Sequence, residues 1–215
     1  MNQTLLIELL TEELPPKALG RLGAAFSGAI FDELAKLGFA AKDAECATFA
    51  SPRRLAISIP AVAAIQPDQQ IEKKGPAVAA GFKDGQPTPA LLGFARSCGL
   101  AADQLDQLVK GSDGKQDVFL FKTVKPGQPL AAVLSGIIEA ALKKLPAPKM
   151  MRWGDRDGQF IRPVHRLTVL HGAEVIPARV LHLESGRTTL GHRFLSQGEI
   201  VLANADEYAG KLYEE

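Results

Sequence analysis

The side chains best equipped for chemistry crowd into one stretch, PKMMRWGDRDGQFIRPVHRL, residues 148–167. It holds Lys149, Arg152, Arg156, Arg162 and Arg166, the single tryptophan Trp153, and His165, in a chain of 215 residues whose net charge is only +1. Between Lys143 and Arg193 ten Lys/Arg stand against four Asp/Glu, so that segment carries +6 and the remainder −5. Guanidinium forks match the oxygens of phosphate or carboxylate in pairs, which point charges on ammonium groups do not. Further basic groups stand at Arg53-Arg54 in SPRRLAI, at Lys73-Lys74 in IEKKGPA and at Arg193 in GHRF. Short of catalysis, two readings fit such a set: contact with the phosphates of a polyanion, or a merely solvated, arginine-rich surface. Trp153 has a ring able to stack on a base, but beside Met150 and Met151 it reads as a core anchor.

Other chemistry finds no frame. The chain has no GxGxxG after a strand, no GxxxxGK[ST], no HExxH and no GxSxG, so no phosphate-cradling loop or common nucleophile or metal arrangement is present. His165, His171, His182 and His192 are six, eleven and ten positions apart. Along a strand His165 and His171 stand roughly 20 Å apart, too far to share a metal. Cys46 and Cys98, 52 positions apart, offer neither a disulfide framework nor a zinc site. Glu12-Glu13 before a helix are either an acid–base pair or a complement to the helix dipole. No catalytic, cofactor-binding or metal-binding residue is assigned.

The elements that must position these groups follow from periodicity. TLLIELL is a buried strand ended by Thr11-Glu12-Glu13. Pro15-Pro16 suit the first turn of a helix, and Leu19, Leu22, Phe26, Ile30, Leu34 and Leu37 form its apolar stripe up to Gly38. Residues 45–50 and 54–60 are two strands joined by Ser51-Pro52-Arg53, with the arginine pair near the tip. From Gln66 to Gly114 the texture is polar and turn-rich, with a helix only from Pro89 to Cys98, as in an inserted lobe. DVFLFKTV is a strand of the core, and PLAAVLSGIIEAALKKL a helix closed by Lys143-Lys144 and Pro146.

FIRPVHRLTVLHG then alternates as a strand: Ile161, His165, Leu167, Val169 and His171 on one face, and Arg162, Val164, Arg166 and Thr168 on an exposed one. Pro163 demands an edge or a bulge. EVIPARVLHLE is its antiparallel partner across the HGAE turn, and a helix starts near Asn204.

Strands and helices without regular βαβ alternation give an α+β fold, a mainly antiparallel sheet with packed helices and an inserted lobe. The expected boundaries are a discontinuous core of residues 1–65 and 115–203, a lobe of 66–114, and the start of a helix at 204–215. At 46% hydrophobic residues the chain can bury a sizeable core. No apolar run approaches the roughly 20 residues of a membrane span, and only Met1-Asn2-Gln3 precede the first strand, so neither anchor nor leader is expected. The expected compartment is a reducing cytoplasm.

Eight stretches, IELLTEELPPKAL, SPRRLAI, IEKKGPA, KLPAPKMMRWG, FIRPVH, VIPA, GHRF and NADEY, occur in order along the chain. With them the sequence resembles the N-terminal part of the β subunit of bacterial glycyl-tRNA synthetase, in its two-α, two-β form. The resemblance implies a division of labour. The α subunit carries the class II site that activates glycine with ATP and Mg²⁺, and the β subunit supplies tRNA-binding apparatus and is required for charging. It implies the α subunit and tRNA-Gly as partners, an α2β2 assembly, no membrane, and no cofactor in this part of the chain. The family's β chain continues into an HD-like domain and an anticodon-binding domain. It also implies a likeness to editing-type and tRNA-binding modules of phenylalanyl-tRNA synthetase, with no editing residue to carry over. Under it the basic residues either hold tRNA phosphates or serve as scaffold.

Overall fold

The computed structural model describes residues 1–146, 151–152, 159–192, 196 and 198–214, with the backbone alone at 151, 152 and 159. The chain forms two compact units, one of residues 1–67 with 128–215, the other of residues 68–127.

The first unit opens with β1 (Asn2–Thr11), α1 (Leu19–Lys36), β2 (Ala47–Ser51) and β3 (Arg54–Ala63). From Leu5 to Thr11 every residue of β1 is buried, which only a central strand covered on both faces permits. Leu22, Phe26, Ile30 and Leu34 of α1 are buried, and the helix closes at Gly38 with φ +82°, a left-handed conformation that glycine adopts without steric cost.

The second unit holds β4 (Gln69–Ala77), α2 (Val78–Gly81), β5 (Phe82–Lys83), β6 (Gln86–Pro87), α3 (Pro89–Ser97), β7 (Val109–Ser112) and β8 (Asp117–Lys125). Its three-stranded antiparallel sheet runs β4-β8-β7, and Leu91, Ala95, Leu100, Leu108 and Phe119 form its core. Thr88 caps α3 by accepting from the Leu91 amide. This corrects the expected boundary at residue 114. β8 pairs on both sides with strands of the lobe, so residues 115–127 belong with it and not with the core. The polar run expected as irregular is a nine-residue strand, charged because it lies at a sheet edge.

The first unit resumes with α4 (Leu130–Lys143), β9 (Met151–Arg152), β10 (Gln159–Phe160), β11 (Val164–His171) and β12 (Glu174–Val175). It ends with β13 (Arg179–Val180), β14 (Leu183–Gly186), β15 (Thr188–Leu190), β16 (Glu199–Val201) and α5 (Tyr208–Glu214). The seven-stranded sheet has the order β13-β14-β11-β1-β3-β2, with β12 also on β11, and all its pairs are antiparallel except β11 with β14. One face carries α1 and α4 over Leu5, Ile7, Leu9, Ile57, Leu167 and Val169. The other buries Leu6, Ala56 and Leu170 against Ile200, Leu202, Ala205 and Tyr208.

Two expectations change here. EVIPARVLHLE is not one antiparallel partner of β11. Only Glu174–Val175 pairs that way, Pro177 lacks the donor to continue, and a two-residue turn at Leu181-His182, both with positive φ, sends β14 back parallel to β11. The Arg166–Thr168 face of β11 is not exposed either. Thr168 is fully buried beneath β15, its hydroxyl donating to the Thr188 carbonyl at 2.6 Å. Pro163 precedes β11 opposite the register shift between Leu10 and Thr11, the irregular site that proline requires. Gly172, with φ +57°, turns β11 toward β12 where a Cβ would fall 2.4 Å from the Gln3 side chain.

Candidate functional site

The arginines of the basic set whose side chains are described, Arg53, Arg54, Arg162 and Arg166, divide into two groups by what β1 offers them. In the middle of β1, Glu8 lies opposite Thr168 and Ala56 and is completely buried. An ionised carboxylate there requires a cation and hydrogen bonds. Arg54 Nε stands 2.9 Å from Glu8 Oε2, close enough for an ion pair though not aligned as a hydrogen bond, and the Arg54 side chain is only 14% exposed. Tyr208, at the start of α5, donates its hydroxyl to the same Oε2. Arg54 donates onward from Nη2 to the Leu190 carbonyl. Arg166 donates from Nη1 to Thr188 Oγ1 at 2.6 Å and from Nη2 to Glu199 Oε1.

Burial pushes the Glu8 carboxyl above the usual carboxylate range, opposed by Arg54, the Thr189 and Tyr208 hydroxyls and Arg166. Burial and the Glu8 charge push the Tyr208 phenol well above its ordinary range. Both arginines therefore fasten the β15–β16 hairpin to the sheet.

At the end of β1 the second group meets at the surface. The Thr11 amide donates to the Arg53 carbonyl (2.9 Å), Glu12 to Pro163 (2.8 Å) and Leu14 to Pro52 (2.5 Å), so three proline-bearing segments lock into one corner. Glu12 Oε1 accepts from Arg53 Nη2 at 3.0 Å and lies 2.9 Å from His165 Nε2. Arg162 donates from Nε to the Glu13 carbonyl at 3.0 Å. Arg53, Glu12 and His165 are 32%, 41% and 50% exposed along their side chains.

In the second unit Lys73 donates to the Ser97 carbonyl at 2.9 Å and Lys74 pairs with Asp113 at 2.5 Å. Arg152 is placed by its backbone alone, across from Gln159. Lys149, Arg156, Arg193 and Trp153 lie outside the described residues. His171 is buried with Nε2 2.7 Å from the Val62 carbonyl, and His182 sits at the exposed tip of the β13–β14 hairpin. Among the described residues no group of three or more His, Cys, Asp or Glu is placed to hold a metal ion, and no helix is long and apolar enough to cross a membrane.

Glu8, Thr188, Glu199 and Tyr208 were absent from the sequence-derived site. Only Glu8 carried a signal: a lone carboxylate inside TLLIELL must be paired if that strand is central.

Comparison with known proteins meets these same segments. A profile of the family described as "Glycyl-tRNA synthetase beta subunit" matches residues 5–215. The chain is 54% identical over 215 residues to the "Glycine--tRNA ligase beta subunit" of Neisseria meningitidis serogroup C (strain 053442), covering 100% of this chain and 31% of that protein. It is 47% identical over 213 residues to the like-named protein of Aromatoleum aromaticum (99% and 31%), and 46% over 214 residues to that of Edwardsiella ictaluri (99% and 30%). The chain thus spans about a third of the length of these relatives. The match takes in β1, the SPRR turn and β11 alike, and the chain belongs to the glycyl-tRNA synthetase β-subunit family.

Proposed function

We propose that this chain is the N-terminal region of the β subunit of an α2β2 glycine-tRNA ligase of the cytoplasm. It supports tRNA binding and subunit assembly during ATP-dependent glycylation of tRNA-Gly and carries no catalytic group itself. The observation that carries this assignment is the convergence of TEELPP, SPRR and IRPVH in one surface corner, where Arg53, Arg162 and His165 stand partly exposed on a locked backbone. On the resemblance to this family, ATP and Mg²⁺ are assigned to the class II site of the α subunit.

A footprint of tRNA-Gly on the intact α2β2 enzyme tests it. Protection within residues 1–215 is expected; protection confined to the rest of the β chain and to α overturns the tRNA-binding role. A second function, internal scaffold, is favoured for Arg54 and Arg166 by their engagement with Glu8 and Glu199.

A further inference from the structure

We propose that the corner at the end of β1 is a phosphodiester-binding site, with the Arg162 guanidinium as its contact group and Arg53 beside it. This rests on the tRNA-binding role proposed above and picks out, from ten basic candidates, the residues that carry it.

The first support is the division of the arginines. Arg54 and Arg166 spend their terminal nitrogens on Leu190, Thr188 and Glu199. Arg162 is pinned through Nε to a backbone carbonyl, so among the described residues both its Nη groups lack a protein partner. Arg53 likewise uses Nε on the Thr11 carbonyl (3.5 Å) and Nη2 on Glu12, which leaves Nη1. A guanidinium oriented from behind, with its fork facing water, is set to take two oxygens of one phosphate.

The second is the expense of the arrangement. An exposed ion pair contributes little to stability, whereas ordering a long side chain gives up conformational entropy of comparable or greater size. Yet Arg53, Arg162 and His165 are all tethered to residues 11–13, and the backbone of Thr11, Glu12 and Leu14 is itself tied to residues 53, 163 and 52. Side chains ordered in advance lower the cost of binding.

The third is what the corner lacks. Among the described residues, the exposed large hydrophobics of the first unit, Met1, Ile65, Leu190, Val201 and Tyr213, all lie outside segments 11–16, 51–54 and 160–166. A protein partner is usually anchored by buried apolar or aromatic groups, while a phosphodiester needs none. Among the described residues two carboxylates at the corner oppose an anion, Glu12, which is 41% exposed and paired with Arg53 and His165, and the exposed Glu13.

The test uses full-length β subunit assembled with α and tRNA-Gly, with binding measured against salt. Arg162→Ala should weaken binding and lower the magnitude of the slope of log K against log salt by about 0.9 for a duplex contact, about 0.7 for a single strand. Arg162→Lys should keep the slope while recovering only part of the affinity, and Glu13→Gln should tighten binding. Thermal melts and sedimentation confirm that each variant is a folded tetramer. An unchanged slope for Arg162→Ala overturns the site, as does loss of α association with the slope intact, which would make the fork a protein contact. If the footprint still falls within residues 1–215, only this site fails; if it does not, the tRNA-binding role fails as well.

Discussion

Arg53 and Arg54 are adjacent in sequence and meet opposite fates. Arg54 turns under the β15–β16 hairpin to a carboxylate with no solvent exposure, while Arg53 turns to Glu12 at a corner where the two partners stay 32% and 41% exposed. The same chemistry in two dielectrics does two jobs. In the interior a guanidinium–carboxylate pair is mostly an obligation, since removing one partner strands the other. At the surface water screens the pair, and what remains is orientation.

The largest effect should come from stranding the interior charge. Arg54→Met, which leaves Glu8 buried without its main cation, should destabilise the protein by about 3–5 kcal/mol, whereas the double variant with Glu8→Gln should recover much of that loss. Denaturant unfolding of the single and double variants measures the difference; equal losses would deny the coupling. Next comes Tyr208→Phe, which removes one hydrogen bond to a charged acceptor and keeps the edge-to-face contact with Phe49 at 5.1 Å. The expected cost is about 1.5–3 kcal/mol.

At the corner the comparison inverts. Arg53→Ala should cost no more than about 1 kcal/mol, so a larger loss would mean that the corner is architecture like the centre. pH dependence separates the two kinds of pair further. Glu8 has its pKa raised by burial, so the folded state binds the proton more tightly, and its contribution to stability declines as pH rises from its ordinary 4.5 through the folded value. Glu8→Gln should remove that decline from a series of melts.

Asp113, exposed, is held at about 2 from its ordinary 3.8 by the Lys74 hydrogen bond and the Gln116 and Lys115 amides. Its contribution is present above 3.8 and is lost as pH falls through about 2. Lys74→Ala should bring the Asp113 titration back toward 3.8 by NMR, the smallest of these effects on stability.

Much of the frame was legible because its signals are local. The Leu22–Phe26–Ile30–Leu34 stripe, the SPR connection and the Asn204 cap, whose Oδ1 accepts from the Asp206 amide at 3.0 Å, each depend on a few neighbouring residues. The failures are non-local. Nothing within FIRPVHRLTVL says that residues 188–201 will cover Arg166 and Thr168, and nothing in DVFLFKTV says that it pairs with the polar strand 69–77. The basic set was visible as composition, but its split into interior and surface members depends on Glu8, Glu12 and Glu199, which lie far from the arginines in sequence.

The bond between Tyr208 and Glu8 spans 200 residues, and that span has a meaning during synthesis. At 5–20 residues per second the ribosome makes that stretch in roughly 10–40 s. For that interval β1 has at most β3 and then β11 beside it, and its buried carboxylate has neither its phenol nor its covering hairpin. The second unit, whose strands all lie within residues 68–127, can finish its sheet in the meantime. The half-built first unit, with the apolar face of β1, β3 and β11 uncovered, is therefore the species that chaperones should bind on the nascent chain. Their release should follow emergence of α5.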